Sequence, residues 1–338
     1  MNKVTTIGLD LAKNVFHVVC CDVRGKVVRR RMLKRSQVLG YFSNHACCLV
    51  GMEACAGSHY WARELEALGH EVRLVPARYV KAFVRGNKND YNDALAIAEA
   101  VVRPEMRFVR PKTPAQQDIQ ALHRLRQGCV AMRTALCNQL RGLSGEYGLV
   151  APQGVAALRR CIPAWLEDGD NGLSDLFRRL LSEGLERLQA LDTHIAFYTR
   201  EVARLSERSE ACQRLQTIPG FGPIVASVFH SRVGHGEAYR RGREVSAALG
   251  LVPRQHSSGG KDTLLGISKR GDRYLRSLLV HGARAVVSRA GHKDDPLSRW
   301  INRIRSERGV NKATVALANK MARMGWAVLA NKTVYQAA

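Results

Sequence analysis

The sequence predicts a mixed α/β N-terminal domain, a helical coiled-coil middle and a mainly α C-terminal domain. Two patterns carry the prediction. Short β-branched segments crowd the first 75 residues, whereas apolar residues repeat every seven positions between about 173 and 208. Beyond residue 213 a turn-rich opening gives way to three amphipathic stretches. The expected boundaries are 1–105, 106–212 and 213–338.

Taken in order, residues 4–10, 15–22 and 26–33 read as three consecutive strands, with Asp22-Val-Arg-Gly25 turning the second into the third. A helix near 36–46 leads to a fourth strand at 48–53. A helix over 57–68 ends at Gly69, and a fifth strand, 72–75, stops at Pro76. Helices near 77–84 and 91–102 finish the unit, so strands alternating with helices complete a compact mixed sheet. Thr113-Pro114 then caps a helix running to about 147.

The next long helix, 173–208, carries Leu181, Leu188, Ile195 and Val202 in one row and Leu191, Tyr198 and Leu205 in another. Such a seam suits either packing inside one domain or pairing of two chains. In the last third, Ile218-Pro-Gly-Phe-Gly-Pro223 has the look of the hairpin in a helix-hairpin-helix, where helix-start N–H groups hold phosphate, or of a plain structural turn. A glycine-rich loop is expected around 250–261, followed by helices at 271–290, 296–308 and 311–329.

Composition narrows the function. The 338 residues carry a net charge of +24, well beyond what solubility requires. A polyanionic partner is implied, and nucleic acid is the natural one. Residues 213–338 hold 22 Lys/Arg against 7 Asp/Glu, so the main phosphate grip is expected there. No apolar run reaches the roughly 18 residues of a membrane span, which points to a cytoplasmic protein. The nine cysteines form no C-x-x-C pair, so the common zinc and thioredoxin spacings are absent.

Four carboxylates give the chemistry. Asp10 closes the first strand and Glu53 the fourth, while Asp90 and Asp93 stand three apart at the start of a helix. A carboxylate at a buried strand end is costly unless it binds a cation, is paired or is protonated. Singly, each suits a helix cap or turn. Together they suit a two-metal site of divalent ions, Mg²⁺ or Mn²⁺, for phosphoryl transfer.

The blocks Gly8-Leu-Asp10-Leu-Ala-Lys13, Gly51-Met-Glu53-Ala and Lys88-Asn-Asp90-Tyr-Asn-Asp93-Ala resemble the DEDD motifs of the Piv/MooV-type transposases, the insertion-sequence one-ten family. The resemblance implies a RuvC-like (RNase H-like) N-terminal domain in which Asp10, Glu53, Asp90 and Asp93 are catalytic and metal-binding. It also gives weight to Gly250-Leu-Val-Pro-Arg-Gln-His-Ser-Ser-Gly-Gly-Lys261, since the family carries a nucleophilic serine just before glycine. That serine is Ser258 here; spacing alone does not separate it from Ser257. Further blocks at 264–272 and 274–284 extend the likeness over nearly the whole chain. Arg254, Lys261, Lys269, Arg270, Arg273 and Arg276 are the expected nucleic-acid contacts.

The resemblance implies a recombinase that cuts and rejoins donor and target DNA through a covalent phosphoserine, guided by a noncoding bridge RNA and acting near the nucleoid as a homodimer or tetramer. Two other readings fit the residues: a RuvC-like metal-dependent junction nuclease using water, and a non-catalytic nucleic-acid-binding protein. An actin-like ATPase fits poorly, because Leu11-Ala12-Lys13 replaces the phosphate-binding glycine expected after Asp10.

Overall fold

A computed structural model describes residues 3–87 and 89–337; Lys88 and the side chains of Ser258, Lys261 and Asp262 lie outside the described residues. The chain divides into two compact units, Met1–Pro114 and Ala115–Ala338.

The first unit is built on β1 (Thr6–Asp10), β2 (Val15–Cys21), β3 (Val27–Lys34), α1 (Val38–Ser43), β4 (Leu49–Glu53), α2 (Ser58–Ala67), β5 (Glu71–Val75), α3 (Ala77–Val80) and α4 (Asp90–Val101). Its five strands lie in the order β3-β2-β1-β4-β5. The first three form an antiparallel meander, and β4 and β5 continue the sheet parallel to β1. Alternation along the strands divides the core in two. Ile7, Leu9, Phe16, Val18, Val50, Met52 and Leu74 pack with Trp61, Ala62 and Leu65 of α2. The opposite face carries Gly8, Asp10, His17, Val19, Gly51 and Glu53, and α4 covers it.

Two glycines decide how closely α4 can sit. Gly8 and Gly51 are register partners in β1 and β4. A Cβ on Gly8 would lie 1.9 Å from the carbonyl oxygen of Ala94, and one on Gly51 would lie 2.9 Å from Cβ of Val101. The helix answers with alanine over β1 and branched side chains over β4: Ala94 and Ala98 lie over Gly8, and Ile97 and Val101 fill the space over Gly51. All four are buried.

The second unit contains α5 (Pro114–Gly145), α6 (Val155–Glu167), α7 (Asp175–Glu207), α8 (Glu210–Gln216), α9 (Pro223–Val233), α10 (Gly242–Ala248), β6 (Pro253–Ser258), β7 (Lys261–Ile267), α11 (Arg273–Arg289), α12 (Pro296–Arg308) and α13 (Val310–Asn331). Helices α5 and α7 form an antiparallel pair. Arg126 donates to Thr199 at 2.8 Å, Arg133 meets Asp192 at 2.7 Å, and Gly184 faces the Leu140 side chain. Asp192 also pairs with Arg159 of α6 at 2.7 Å. The row Leu181, Leu188, Ile195 and Val202 is buried within the chain, with Leu181 and Leu188 packed against Leu136, Cys137, Leu140 and Ile162. This row is therefore occupied by the chain's own helices.

The C-terminal core stacks α9, α11 and α13. Leu275, Leu279, Ala283 and Val287 form an i, i+4 stripe on α11 that packs with Leu317, Ala318 and Met321 of α13. Buried His123 of α5 joins this core through Nδ1 to the Tyr274 hydroxyl (3.1 Å) and Nε2 to Ser227 Oγ (3.0 Å). Burial, with help from Arg126 and Arg232, pulls its pKa down to about 4. The 218–223 turn is a packed one: Ile218 and Phe221 are buried, and Gly220 backs onto Gly282 of α11.

One expectation is corrected. The stretch around 250–261 is not a loop but part of an antiparallel hairpin, with Gln255↔Leu264 and Ser258↔Lys261 in register. Gly259 and Gly260, at φ +56° and +76°, form the two-residue turn. Positive φ at both positions matches the strand twist, which is why Gly-Gly serves there.

Gly8→Ala should destabilise the protein by roughly 1–3 kcal/mol through forced separation of α4 from the sheet, whereas Gly40→Ala, with nothing within 4 Å of the new Cβ, should not. Equal thermal midpoints for the two variants would contradict the close approach of α4 to β1.

Candidate active site

The carboxylates meet on the α4 face of the sheet. Asp10 is the last residue of β1 and Glu53 the last of β4; the two strands run parallel, so both side chains leave the sheet at its C-terminal edge. Asn89 starts α4 by accepting a hydrogen bond from the Tyr91 N–H at 2.9 Å, and Asp90 and Asp93 follow in the first turn. Carboxylates there are favoured by the unpaired N–H groups of the helix start.

Oxygens of Asp10, Asp90 and Asp93 lie within 4.8 Å of one another. Glu53 stands outside this group of three but close enough to add its charge to that of Asp10. Asp10 feels the crowding most. Burial first, then the charges of Asp93, Asp90 and Glu53, raise its pKa to about 6. Burial and Asp93 move Glu53 in the same direction. Two strand-end acids of raised proton affinity, together with a helix-start pair, form an oxygen-rich donor set suited to a hard divalent cation. Asp10, Asp90 and Asp93 would hold it, with Glu53 beside them.

His17 is not singled out by the pattern of acids, and the structure puts it at the site. It is the register partner of Asp10 on β2. Its Nδ1 is 3.5 Å from Oδ2 of Asp90, close enough for an ion pair when protonated but without hydrogen-bond alignment. Tyr91 packs edge-on against the imidazole at 4.8 Å. The available signal was a lone polar residue between the apolar Phe16 and Val18.

The remaining expected residues lie in the second unit. Arg254 is exposed on β6; Lys269, in a left-handed conformation at φ +54°, and Arg270 are exposed between β7 and α11. Arg273 is exposed at the start of α11. Arg276 is half-buried and donates from Nη1 to the carbonyls of Leu249 (3.0 Å) and Arg270 (2.8 Å), so part of its guanidinium braces the hairpin's base. Asp272 caps α11 through the Leu275 N–H and pairs with Arg232 at 2.8 Å. The Ser258 and Lys261 side chains lie outside the described residues, and only their backbone register is given.

A family profile described as a transposase, of the DEDD type found in the IS110 group, matches residues 7–147, which contain all four carboxylates. A second, described as "Transposase IS116/IS110/IS902 family", matches residues 212–297, which contain the hairpin. A probable family 20 transposase of Pseudomonas aeruginosa is 47% identical over 335 residues, covering 99% of both chains. The chain belongs to the IS110/IS116/IS902 transposase family. The transposases of insertion sequence elements IS1111A of Coxiella burnetii and IS1328 of Yersinia enterocolitica are 42% and 40% identical, over 92% and 99% of their lengths and 99% of this chain. Most of the first unit thus falls in the RuvC-like DEDD match of an insertion-sequence transposase, which runs on through α5. Among the described residues, no helix is long and apolar enough to cross a membrane.

The sign of the pH dependence follows from Asp10. Its folded pKa, about 6, exceeds the ordinary 3.8, so the native state holds this proton more tightly than the unfolded chain does. In metal-free protein, stability should therefore fall as pH rises from about 4 through about 6, and Asp10→Asn should flatten that fall. Mg²⁺ or Mn²⁺ should raise the thermal midpoint more above pH 6 than below it. A pH profile unchanged by Asp10→Asn would refute the crowded-carboxylate reading.

Proposed function

We propose that this transposase cuts and rejoins DNA through a covalent phosphoserine at Ser258, assisted by a divalent metal, Mg²⁺ or Mn²⁺, held by Asp10, Asp90 and Asp93 with Glu53. The observation that carries the metal reading is the approach of three carboxylates from β1 and α4 around a half-buried Asp10. A bound divalent ion would stabilise negative charge on phosphate oxygens. The serine reading is carried by the match of the 212–297 segment to the family and by the Ser-Gly-Gly turn.

In the proposed step the Ser258 hydroxyl attacks a DNA phosphorus. The Oγ–P bond forms, one P–O bond to deoxyribose breaks, and the serine proton leaves to solvent as the deoxyribose oxygen takes one up. Attack of a deoxyribose hydroxyl from another strand end reverses these changes and releases the serine, so the energy of the phosphodiester is conserved through the exchange. The raised pKa of Asp10 ties full ionisation of the carboxylate set to pH above about 6. Arg254, Lys261, Lys269, Arg270 and Arg273 would neutralise phosphates beside the serine, and Arg276 would hold the base of the hairpin that presents it.

The same reading takes residues 1–105 as the catalytic domain, 106–212 as the linking and oligomerisation region and 213–338 as the transposase domain. It makes a noncoding bridge RNA the guide, and a homodimer or tetramer the working form. With the row at Leu181–Val202 turned inward, pairing between chains would use the other side of the helices, where Leu176, Leu180 and Phe197 of α7 and Met132 of α5 are exposed. Leu180→Asp with Phe197→Asp should halve the mass seen by light scattering without changing helicity; an unchanged mass at full helicity excludes this face.

The mechanism is tested on supercoiled plasmid carrying the element's ends, with the co-purifying RNA retained. Ser258→Ala should abolish both strand cleavage and the protein–DNA adduct seen on denaturing gels, and Asp10→Asn should slow adduct formation at least about a hundredfold. Cleavage that persists in Ser258→Ala would support the water-using nuclease instead. Full activity in Asp10→Asn would leave the protein a binder whose carboxylates do no chemistry.

A further inference from the structure

The first unit carries a concentration of charge that the carboxylate site does not use. Of the fifteen Lys/Arg in residues 1–100, seven fall within residues 24–35, and none of the nine Asp/Glu does. The other eighty-eight residues hold eight cations against nine acids, so the whole positive excess of this stretch resides in one short segment. That segment is mainly β3, the strand at the edge of the sheet. Arg29, Arg30, Arg31 and Lys34 are exposed. Among the described residues, no carboxylate forms an ion pair with any of the four.

Register fixes which of these cations share the face of the carboxylates. Asp10 pairs with His17, and His17 pairs with Met32. Met32 therefore lies two strands from Asp10, about 10 Å at the usual interstrand spacing. Arg30 and Lys34 flank Met32 at i−2 and i+2, opposite Val19 and Val15. They stand on the same face as Asp10, whereas Arg29 and Arg31 alternate to the other face and act on Tyr41 there. Met32 itself is 62% exposed, an apolar spot between two cations.

We infer that Arg30, Met32 and Lys34 form a docking strip for the DNA strand that reaches the carboxylates, the two cations gripping successive phosphates and Met32 lying against the sugars between them. The inference rests on the reading of Asp10, Asp90 and Asp93 as the DNA-processing centre. The occupant is argued from charge: outside residues 24–35 the first hundred residues hold eight cations against nine acids, and the strip sets positive charge on the face of a site that is itself acidic. Strand-edge cations also discourage edge-to-edge aggregation. That role calls for charge on either face and does not distinguish Arg30 and Lys34 from Arg29 and Arg31.

The distinction supplies the test. Full-length protein is titrated without metal against a short fluorescein-labelled DNA of mixed sequence, over a range of salt concentrations. Arg30→Ala with Lys34→Ala should weaken binding about tenfold and reduce the slope of log affinity against log salt by about two, one per lost phosphate contact. Arg29→Ala with Arg31→Ala removes the same charge from the other face and should change the slope by less than half as much. Ultraviolet cross-linking to bromouracil-substituted DNA should label the peptide containing Met32. Equal effects of the two pairs, no effect of either, a loss seen with a short RNA but not with DNA, or aggregation without loss of affinity would each overturn the strip. Because binding is read without metal, it stands apart from the catalytic reading, whose own failure would appear as full activity in Asp10→Asn.

Discussion

The active-site half of this chain depends on the missing side chains of two paired glycines. With hydrogen at Gly8 and Gly51, the backbone of α4 rests on β1 and β4, and the first turn of the helix reaches the strand ends. The helix must then use alanine where it lies over Gly8, which fixes its rotation and turns Asp93 towards Asp10. A methyl group at Gly8 would have to displace the helix by more than an ångström. Carboxylate crowding, the raised pKa of Asp10 and the donor set for a metal are all consequences of that contact.

Much of this was legible because strand alternation and helix capping are local. The order of strands, the ends of β1 and β4 at Asp10 and Glu53, and the start of α4 at Asp90 all follow from short runs of sequence. What was not legible depended on pairing. His17 is one residue in an apolar strand until the register with Asp10 is known. Glu53 reads as an equal member of the four, yet it stands beside the group of three rather than within it.

The second unit shows the same limit in another form. A heptad states that a helix has a partner but not whose helix that is; here α5 and α6 supply it, with Asp192 shared between Arg133 and Arg159. The serine-bearing segment reads as a loop because none of its described residues between 253 and 267 is buried. An exposed two-stranded ladder lacks the apolar alternation that reveals a half-buried strand, and only its Gly-Gly pair marked the turn.

His123 and Asp10 respond to burial in opposite senses, and the difference separates the two halves of the protein in their response to acid. An imidazole whose pKa has fallen to about 4 is neutral at pH 6 and above, so the His123 link between α5, α9 and α11 is made by dipoles, beside the Arg232–Asp272 ion pair. A carboxyl near 6 lies at the border of that range. Mild acidification of the surroundings thus reaches the carboxylate cluster while this joint of the helical scaffold keeps its electrical state.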